Sequence, residues 1–363
     1  MKQYRIAIVG TGKSVGNHLT AIAELGDRVK LVAAVDIDED RVRQIATEHD
    51  IPRWYTDTRA MLDAETPDLV NIVTPPAAHK SIIFDTLDSG AWALCEKPFC
   101  VSLAEFDQIM AAEERTGRYA SSVFQWRFGA AAKHIKHLIG SGELGRPLVG
   151  VCNTLWYRDA DYYRVPWRGR WETEVGGPTA TLGIHLTDLF LWLYGNWSEV
   201  QAQIGTLDRD IQVEDVAMAM VRFESGAFGS IVNSVLSPRQ ESYLRLDLQR
   251  ATVEVSALYR YTNDHWRITA PDGDPDAVSL AGWRQINGSA SGNHAAQLRD
   301  LLDCMDEGVR PPTSGHDSRG TMEFTASVYK AAMTGATVAR GSITPDDPFY
   351  YAMNGQPHAL APS

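Results

Sequence analysis

Cysteine is scarce. Cys95, Cys100, Cys152 and Cys304 are the four in 363 residues, and no pair has CxxC spacing. That excludes a disulfide-stapled scaffold and a thiolate metal knuckle. It fits reduced, mostly buried thiols in a protein expected in the cytoplasm. Positive charge is also short. The 34 Lys and Arg against 46 Asp and Glu leave a formal net charge of -12. Nucleic acid and anionic membrane both call for a basic face, so neither is an expected partner. No apolar run approaches the roughly 18 residues of a membrane-spanning helix. The opening Met1-Lys2-Gln3-Tyr4-Arg5 leads straight into a strand without an apolar leader. Repeats and low-complexity tracts are missing too. What remains is an ordinary globular composition, 44% hydrophobic and 22% charged, in a chain long enough for two domains.

The first third alternates strand and helix. Tyr4–Val9 is short and β-branched and ends in Gly10, followed by Thr11, Gly12, Lys13, Ser14 and Val15, and then a helical pattern over residues 19–25. Strand, glycine turn and helix form a cradle for a pyrophosphate, because glycines let the backbone come close and a helix N-terminus offers free N–H groups. The spacing is imperfect, since Val15 stands where GxGxxG has its third glycine. The next strand, Val29–Val35, ends in Asp36, about where a dinucleotide site keeps its ribose carboxylate. A carboxylate there accepts from the adenosine ribose hydroxyls and repels a 2′-phosphate, which favours NAD over NADP. The alternative is that Asp36 only caps the following helix, over residues 40–49. Arg41 is placed to lie over the adenine.

Further alternation predicts a doubly wound parallel sheet over residues 1–126. A strand over 68–73 ends in Thr74-Pro75-Pro76, a rigid loop, and His79 opens the next helix. The apolar run 91–95 then delivers Glu96, Lys97 and Pro98 to a strand's carboxyl end, where open parallel sheets face their ligands. A cis Lys97–Pro98 bond is expected.

From Arg127 the rhythm changes. A helix over 130–139 leads into long alternating strands over 148–157, 199–207, 216–223, 227–235, 242–248 and 251–256, which read as a largely antiparallel sheet. A loop over 158–177 and an apolar helix over 181–193 lie between the first two. Residues 271–275 read as turn-rich, helices are expected over 293–307 and 316–334, and residues from 344 read as irregular. The expected division is 1–126, 127–343 and a tail of 344–363.

Four stretches resemble the Gfo/Idh/MocA oxidoreductase family of glucose–fructose oxidoreductase and inositol dehydrogenase relatives. They are Gly10-Thr11-Gly12 with His18, Asn71-Ile72-Val73-Thr74-Pro75 with His79, Glu96-Lys97-Pro98, and the block from Gly176-Gly177 through His185 to Asp188. The similarity runs to about residue 340. The resemblance implies a Rossmann domain, a C-terminal α/β domain with an open-faced sheet, a bound nicotinamide dinucleotide, and homodimers or homotetramers. It also implies a sugar, inositol or related polyol as substrate. Thr74, Pro75, His79, Glu96 and Lys97 then join the glycine turn as cofactor residues, with Glu96 on the nicotinamide ribose or holding Lys97.

By the same resemblance Lys97 polarises the substrate oxygen and His185 is the acid/base. Both types suit those tasks: an ammonium stabilises a developing alkoxide, and an imidazole exchanges protons near neutral pH. The two residues fall in different expected domains, so the expected site lies in a cleft. Many relatives carry an aspartate four residues before this histidine; here it is Thr181. Either Asp188, three residues after His185 on the same helical side, or a substrate group supplies the missing acceptor, or the proton network is lysine plus histidine. The loop from Trp156 to Trp171 is dense in aromatics and arginines, suited to a sugar pocket or to a subunit interface. Arg127, Tyr157, Trp167 and Arg168, with Thr181 and His185, are the substrate candidates; no metal ligand set is expected. The leading expectation is an NAD-dependent dehydrogenase. Redox-neutral sugar chemistry with retained NAD and a non-catalytic nucleotide-bound sugar sensor are the alternatives.

Overall fold

A computed structural model describes residues 2–271 and 281–356. The chain forms two compact units, one from Met1–Val123 with His294–Gly320 and one from Phe124–Asn293 with Thr321–Ser363.

In the first unit β1 (Tyr4–Val9), β2 (Val29–Val35), β3 (Trp54–Tyr55), β4 (Leu69–Ile72), β5 (Trp92–Cys95) and β6 (Ala120–Ser122) form one sheet. The order is β3-β2-β1-β4-β5-β6 and every pairing is parallel. Helices on both faces leave the strands dry on both sides, so β4 and β5 are buried throughout and read as unbroken apolar runs. Strand order reverses between β1 and β4, and the loops after them open the crevice in which such sheets bind ligands.

The crossover helices are α1 (Val15–Glu24), α2 (Glu39–Glu48), α3 (Thr58–Glu65), α4 (His79–Asp88) and α5 (Leu103–Thr116). Asp38, Asp57 and Ser102 cap α2, α3 and α5 by accepting a backbone N–H of the first turn. Helix α1 begins a turn before the expected residue 19, because Val15 and Leu19 share its buried face.

The helix His294–Glu307 belongs to this unit, which a boundary after Trp126 does not foresee. Its Leu298, Leu301 and Leu302 pack in one core with Leu19 and Ile22 of α1. Arg28 pairs with Asp303 at 2.6 Å and Asp306 at 2.8 Å, and the Tyr4 hydroxyl donates to Asp306 at 2.6 Å.

The second unit opens with α6 (Ala130–Gly140) and β7 (Pro147–Tyr157), continues through three helices, α7 (Trp171–Glu174), α8 (Pro178–Thr181) and α9 (Ile184–Tyr194), and then builds its sheet. The strands are β8 (Trp197–Gly205), β9 (Val216–Phe223), β10 (Phe228–Ser234), β11 (Leu236–Leu248), β12 (Thr252–Ala257), β13 (Trp266–Thr269) and β14 (Val338–Ala339). The order is β13-β12-β11-β7-β10-β9-β8-β14, antiparallel except for the parallel pair β7–β10. One face carries the core, with Phe190 and Tyr194 of α9 on Phe223 of β9. On the other face Met218, Met220 and Phe228 are exposed.

The expected helix over 181–193 is two pieces, α8 and α9, interrupted at Leu182-Gly183. The expected loop before it holds short helical turns, Asp161–Arg164 and α7. The tail is not wholly irregular: Pro348–Tyr351 is a helical turn capped by Asp347. Of the expected turn-rich segment, residues 272–275 lie outside the described residues.

Candidate active site

Gly10 follows β1 with φ +98°, and a Cβ there would sit 2.7 Å from the Val73 carbonyl carbon. Only glycine makes this turn, because the loop after β4 runs directly against it. Gly12 has open space around it. Lys13 and Ser14 are exposed, and no side chain caps the N-terminus of α1. Thr11 and Val15 are buried, and Thr11 turns back to Asp36. The Thr11 N–H and hydroxyl both donate to Asp36 Oδ2 at 2.8 Å, and the Asp38 N–H donates to Oδ1 at 3.0 Å. Burial pushes the Asp36 carboxyl upward. The Asp38 and Thr11 donors, with Arg41, outweigh it and hold the group below its ordinary value. Asp36 does not cap α2; Asp38 does. Arg41 is half committed to these acids, at 2.6 Å from Asp38 and 3.4 Å from Asp36.

After β4, the Thr74 hydroxyl is buried with no hydrogen-bond partner among the described residues, and Pro75 is exposed. His79 was expected at the cofactor. It is buried instead, with Nδ1 3.0 Å from the Pro98 carbonyl and Nε2 2.8 Å from the Thr74 carbonyl. Burial pulls its pKa down, against the pull of those carbonyls. Its imidazole braces the Thr74-Pro75 loop against the Glu96-Lys97-Pro98 loop. The Lys97–Pro98 bond is cis. Lys97 is half-buried, and its N–H donates to Glu96 Oε2 at 3.2 Å.

The other oxygen of Glu96 receives two imidazoles. His18 Nε2 lies 3.2 Å and His294 Nε2 3.4 Å from Oε1. The Asn71 amide donates to His18 Nδ1 at 3.2 Å, so the ring's proton sits on Nε2, facing Glu96. Burial would raise the Glu96 carboxyl, but these imidazoles and the Lys97 charge hold it well below the usual range. His294 escaped the sequence reading. Nothing local marks it, and it stands 198 residues from Glu96.

These features fit a dinucleotide: an uncapped helix N-terminus, a glycine turn with open space at Gly12, an ionised carboxylate after β2 and a buried hydroxyl without a partner at Thr74. Cys95 and Cys100, beside them, are buried thiols whose pKa burial raises, which suits packing rather than reactivity.

In the second unit His185 lies in the first turn of α9, buried, with its ring edge-on to Tyr259 at 5.8 Å. Tyr259 in turn lies against Trp156 at 6.0 Å, and its carbonyl accepts from Trp126 Nε1 at 2.7 Å. Asp188 does not stand open as a proton acceptor. It is 0% exposed and bound two-pronged by Arg127, with Nε to Oδ2 at 2.5 Å, and Thr321 donates to Oδ1 at 2.8 Å. Arg127, expected at the substrate, is 4% exposed and is a partner of α9 through this pairing. The Thr181 hydroxyl donates at 2.8 Å to the carbonyl of Gly177, the N-cap of α8.

The Gly176-Gly177 pair has a steric cause. A Cβ at Gly177 would overlap the Glu214 carbonyl, and one at Gly176 would overlap the Tyr329 hydroxyl. Glu214 is buried and accepts from the N–H groups of Gly177 (2.9 Å) and Thr179 (3.1 Å) and from Tyr329 (3.0 Å). Burial raises its pKa despite these donors. Glycine pairs signal a close approach, but the sequence does not say what approaches.

Of the loop candidates, Tyr157 is exposed, and Trp167 and Arg168 are half-buried. Arg168 stacks over Tyr162 and Trp167 at 4.0 and 4.3 Å and pairs with buried Glu174 at 3.0 Å. The loop is thus held by its own cation–aromatic contacts.

Two family models match. One described as "Oxidoreductase family, NAD-binding Rossmann fold" covers residues 4–124, and the "GFO/IDH/MocA C-terminal domain" covers 132–269. A D-apiose dehydrogenase of Paraburkholderia graminis is 28% identical, over 96% of this chain and 92% of its own. A myo-inositol 2-dehydrogenase of Thermotoga maritima is 25% identical over 63% of this chain and 68% of its own. Among solved structures, the WlbA dehydrogenase of Bordetella pertussis, in complex with NADH and UDP-GlcNAcA, aligns with TM-score 0.81 and 25% identity over 93% of this chain and 99% of its own. A levoglucosan dehydrogenase in complex with NADH and L-sorbose aligns with TM-score 0.82 and 18% identity over 94% of this chain and 100% of its own. With both of its halves matched in order and the parallel and antiparallel sheets in place, this chain belongs to the Gfo/Idh/MocA oxidoreductase family.

Proposed function

We propose that this oxidoreductase oxidises a secondary hydroxyl of a sugar, inositol or related polyol, with NAD as its dinucleotide. The observation that carries the reading is the His18–Glu96 contact. It ties the Lys97 loop to α1, the helix that follows the glycine turn, so the amine and the dinucleotide cradle share one end of the sheet. Relatives named for D-apiose and inositol support the substrate class.

The dinucleotide, when bound, supplies a hydride acceptor for the carbinol carbon. The chain's own groups do the rest. The Lys97 ammonium donates to the carbinol oxygen as negative charge grows there. The His185 imidazole takes the hydroxyl proton. Asp188 cannot share that task while Arg127 and Thr321 hold it, and Thr181 offers only a hydroxyl, so the reading is a lysine–histidine set. The ionised Asp36 carboxylate favours NAD, because a 2′-phosphate would meet its charge.

The test is a panel of D-apiose, inositols and simple aldoses with NAD, following NADH and substrate loss together. The reading expects both to change in equal amounts with at least one member. Substrate loss without NADH would replace it with redox-neutral chemistry. Ligand-induced thermal shifts with neither change would replace it with a sensor.

A further inference from the structure

Two histidines meet one carboxylate oxygen behind Lys97, and the first unit assembles them from three distant stretches. His18 comes from α1, Glu96 from the end of β5, and His294 from the first turn of His294–Glu307. The imidazole rings of His18 and His294 meet edge to face at 5.0 Å, and all three residues are buried. We propose that His294 is a positioning residue for Lys97, donating Nε2–H to Glu96 Oε1 so that Oε2 stays on the Lys97 backbone. This rests on Lys97 being the group that polarises the substrate oxygen.

The chemistry of the three groups supports the direction of each bond. An ionised carboxylate accepts only, so each imidazole must present an N–H to it. Asn71 fixes that proton on His18. Burial keeps His294 neutral, pulling its pKa down more than Glu96 pulls it up, and a neutral ring still donates through Nε2. Two N–H donors on one oxygen favour the ionised form of Glu96 beside Lys97. That is the arrangement that holds the Glu96-Lys97 peptide in register.

The charged and titratable groups around His294 are His18, Glu96 and Lys97; His79 and Cys95 lie in the field of Glu96. The pH sign follows from Glu96. The acid limb of kcat belongs to the His185 base, so Glu96 is read in the pH dependence of stability: its contribution is present above its unfolded pKa and lost as pH falls through its depressed folded pKa. Removing one donor raises that folded pKa, so the acid loss of stability begins at higher pH.

The experiment compares His294→Leu, His294→Gln and Lys97→Ala in the full chain, measuring kcat, NADH affinity and thermal melting against pH. The Gln amide keeps a donor near Nε2 without a titrating ring. His294→Leu is expected to lower kcat about ten- to a hundred-fold, as loss of a hydrogen bond to a charged group does. It should also move the acid loss of thermal stability to higher pH while NADH affinity stays within about three-fold, with His294→Gln restoring kcat and the acid stability. A folded His294→Leu with unchanged kcat and unchanged acid loss of stability would overturn the proposal. If His294→Leu does not fold, the Gln variant decides: kcat near the parent supports the role, and a loss equal to that of Lys97→Ala overturns it. A stoichiometric divalent metal that disappears in His294→Leu would also overturn it, since the three ligand atoms lie within 4.8 Å of one another. Full activity in Lys97→Ala would instead strike the underlying functional reading.

Discussion

Asp36 is a small carboxylate with a crowded set of donors, and the order of those donors decides its use. Thr11 donates twice to one oxygen, the Asp38 N–H donates to the other, and Arg41 stands 3.4 Å away. These partners fix the group in its charged form at the end of β2. Asp36→Ser removes the charge and the ribose acceptor. It is expected to raise KM for NAD about ten- to a hundred-fold and to bring NADP turnover up toward that of NAD. Unchanged preference between the two dinucleotides in steady-state kinetics would remove Asp36 from the specificity argument. The sequence makes Asp36 legible because its spacing from Gly10 is local to one βαβ unit. It leaves the surroundings of His79 illegible for a related reason. A histidine after Thr74-Pro75 looks like a ligand contact in one dimension, and only the fold shows two backbone carbonyls on either side of its imidazole.

At the scale of elements, α9 carries the proposed acid/base and is fixed by a buried ion pair. Asp188, fully enclosed, has Arg127 and Thr321 as partners, drawn from the segment after β6 and from the helix Gly315–Thr334. Removing one member leaves the other charge buried without this ion pair. Asp188→Ala is therefore expected to cost about 3–5 kcal/mol in denaturant unfolding, the range for a broken buried pair. Replacing both, Arg127→Met with Asp188→Leu, should cost clearly less than the sum of the single changes. Strict additivity would mean that the pair is not coupled. The spacing of Asp188 from His185 is visible in the sequence. Its partner is not, because Arg127 lies 61 residues away and nothing local links them. The break between α8 and α9 was hidden for the same kind of reason: Gly183 admits the buried Asn233 side chain of β10 at that point, and a β-strand neighbour leaves no mark on helical periodicity.

At the scale of the whole chain, the doubly wound order of the first sheet was readable because strand, turn and helix repeat with local signals. The return of His294–Glu307 to the first unit was not, since its apolar stripe says only that it must pack against something. The second sheet leaves Met218, Met220 and Phe228 exposed at 57%, 63% and 54% on its open face. We read this face as the contact between two copies of the chain. Light scattering should then give a multiple of the 40.1 kDa chain mass, and Met220→Glu with Phe228→Glu should reduce it to the single chain. A monomeric parent protein would end that reading. The central claim, that Lys97 and His185 carry the chemistry, is tested most directly by single-turnover hydride transfer. With saturating NAD and a substrate found in the panel, Lys97→Ala and His185→Ala should each slow NADH formation about 10²- to 10⁴-fold while NADH affinity stays close to the parent's. Parent-like rates in folded variants would contradict the account.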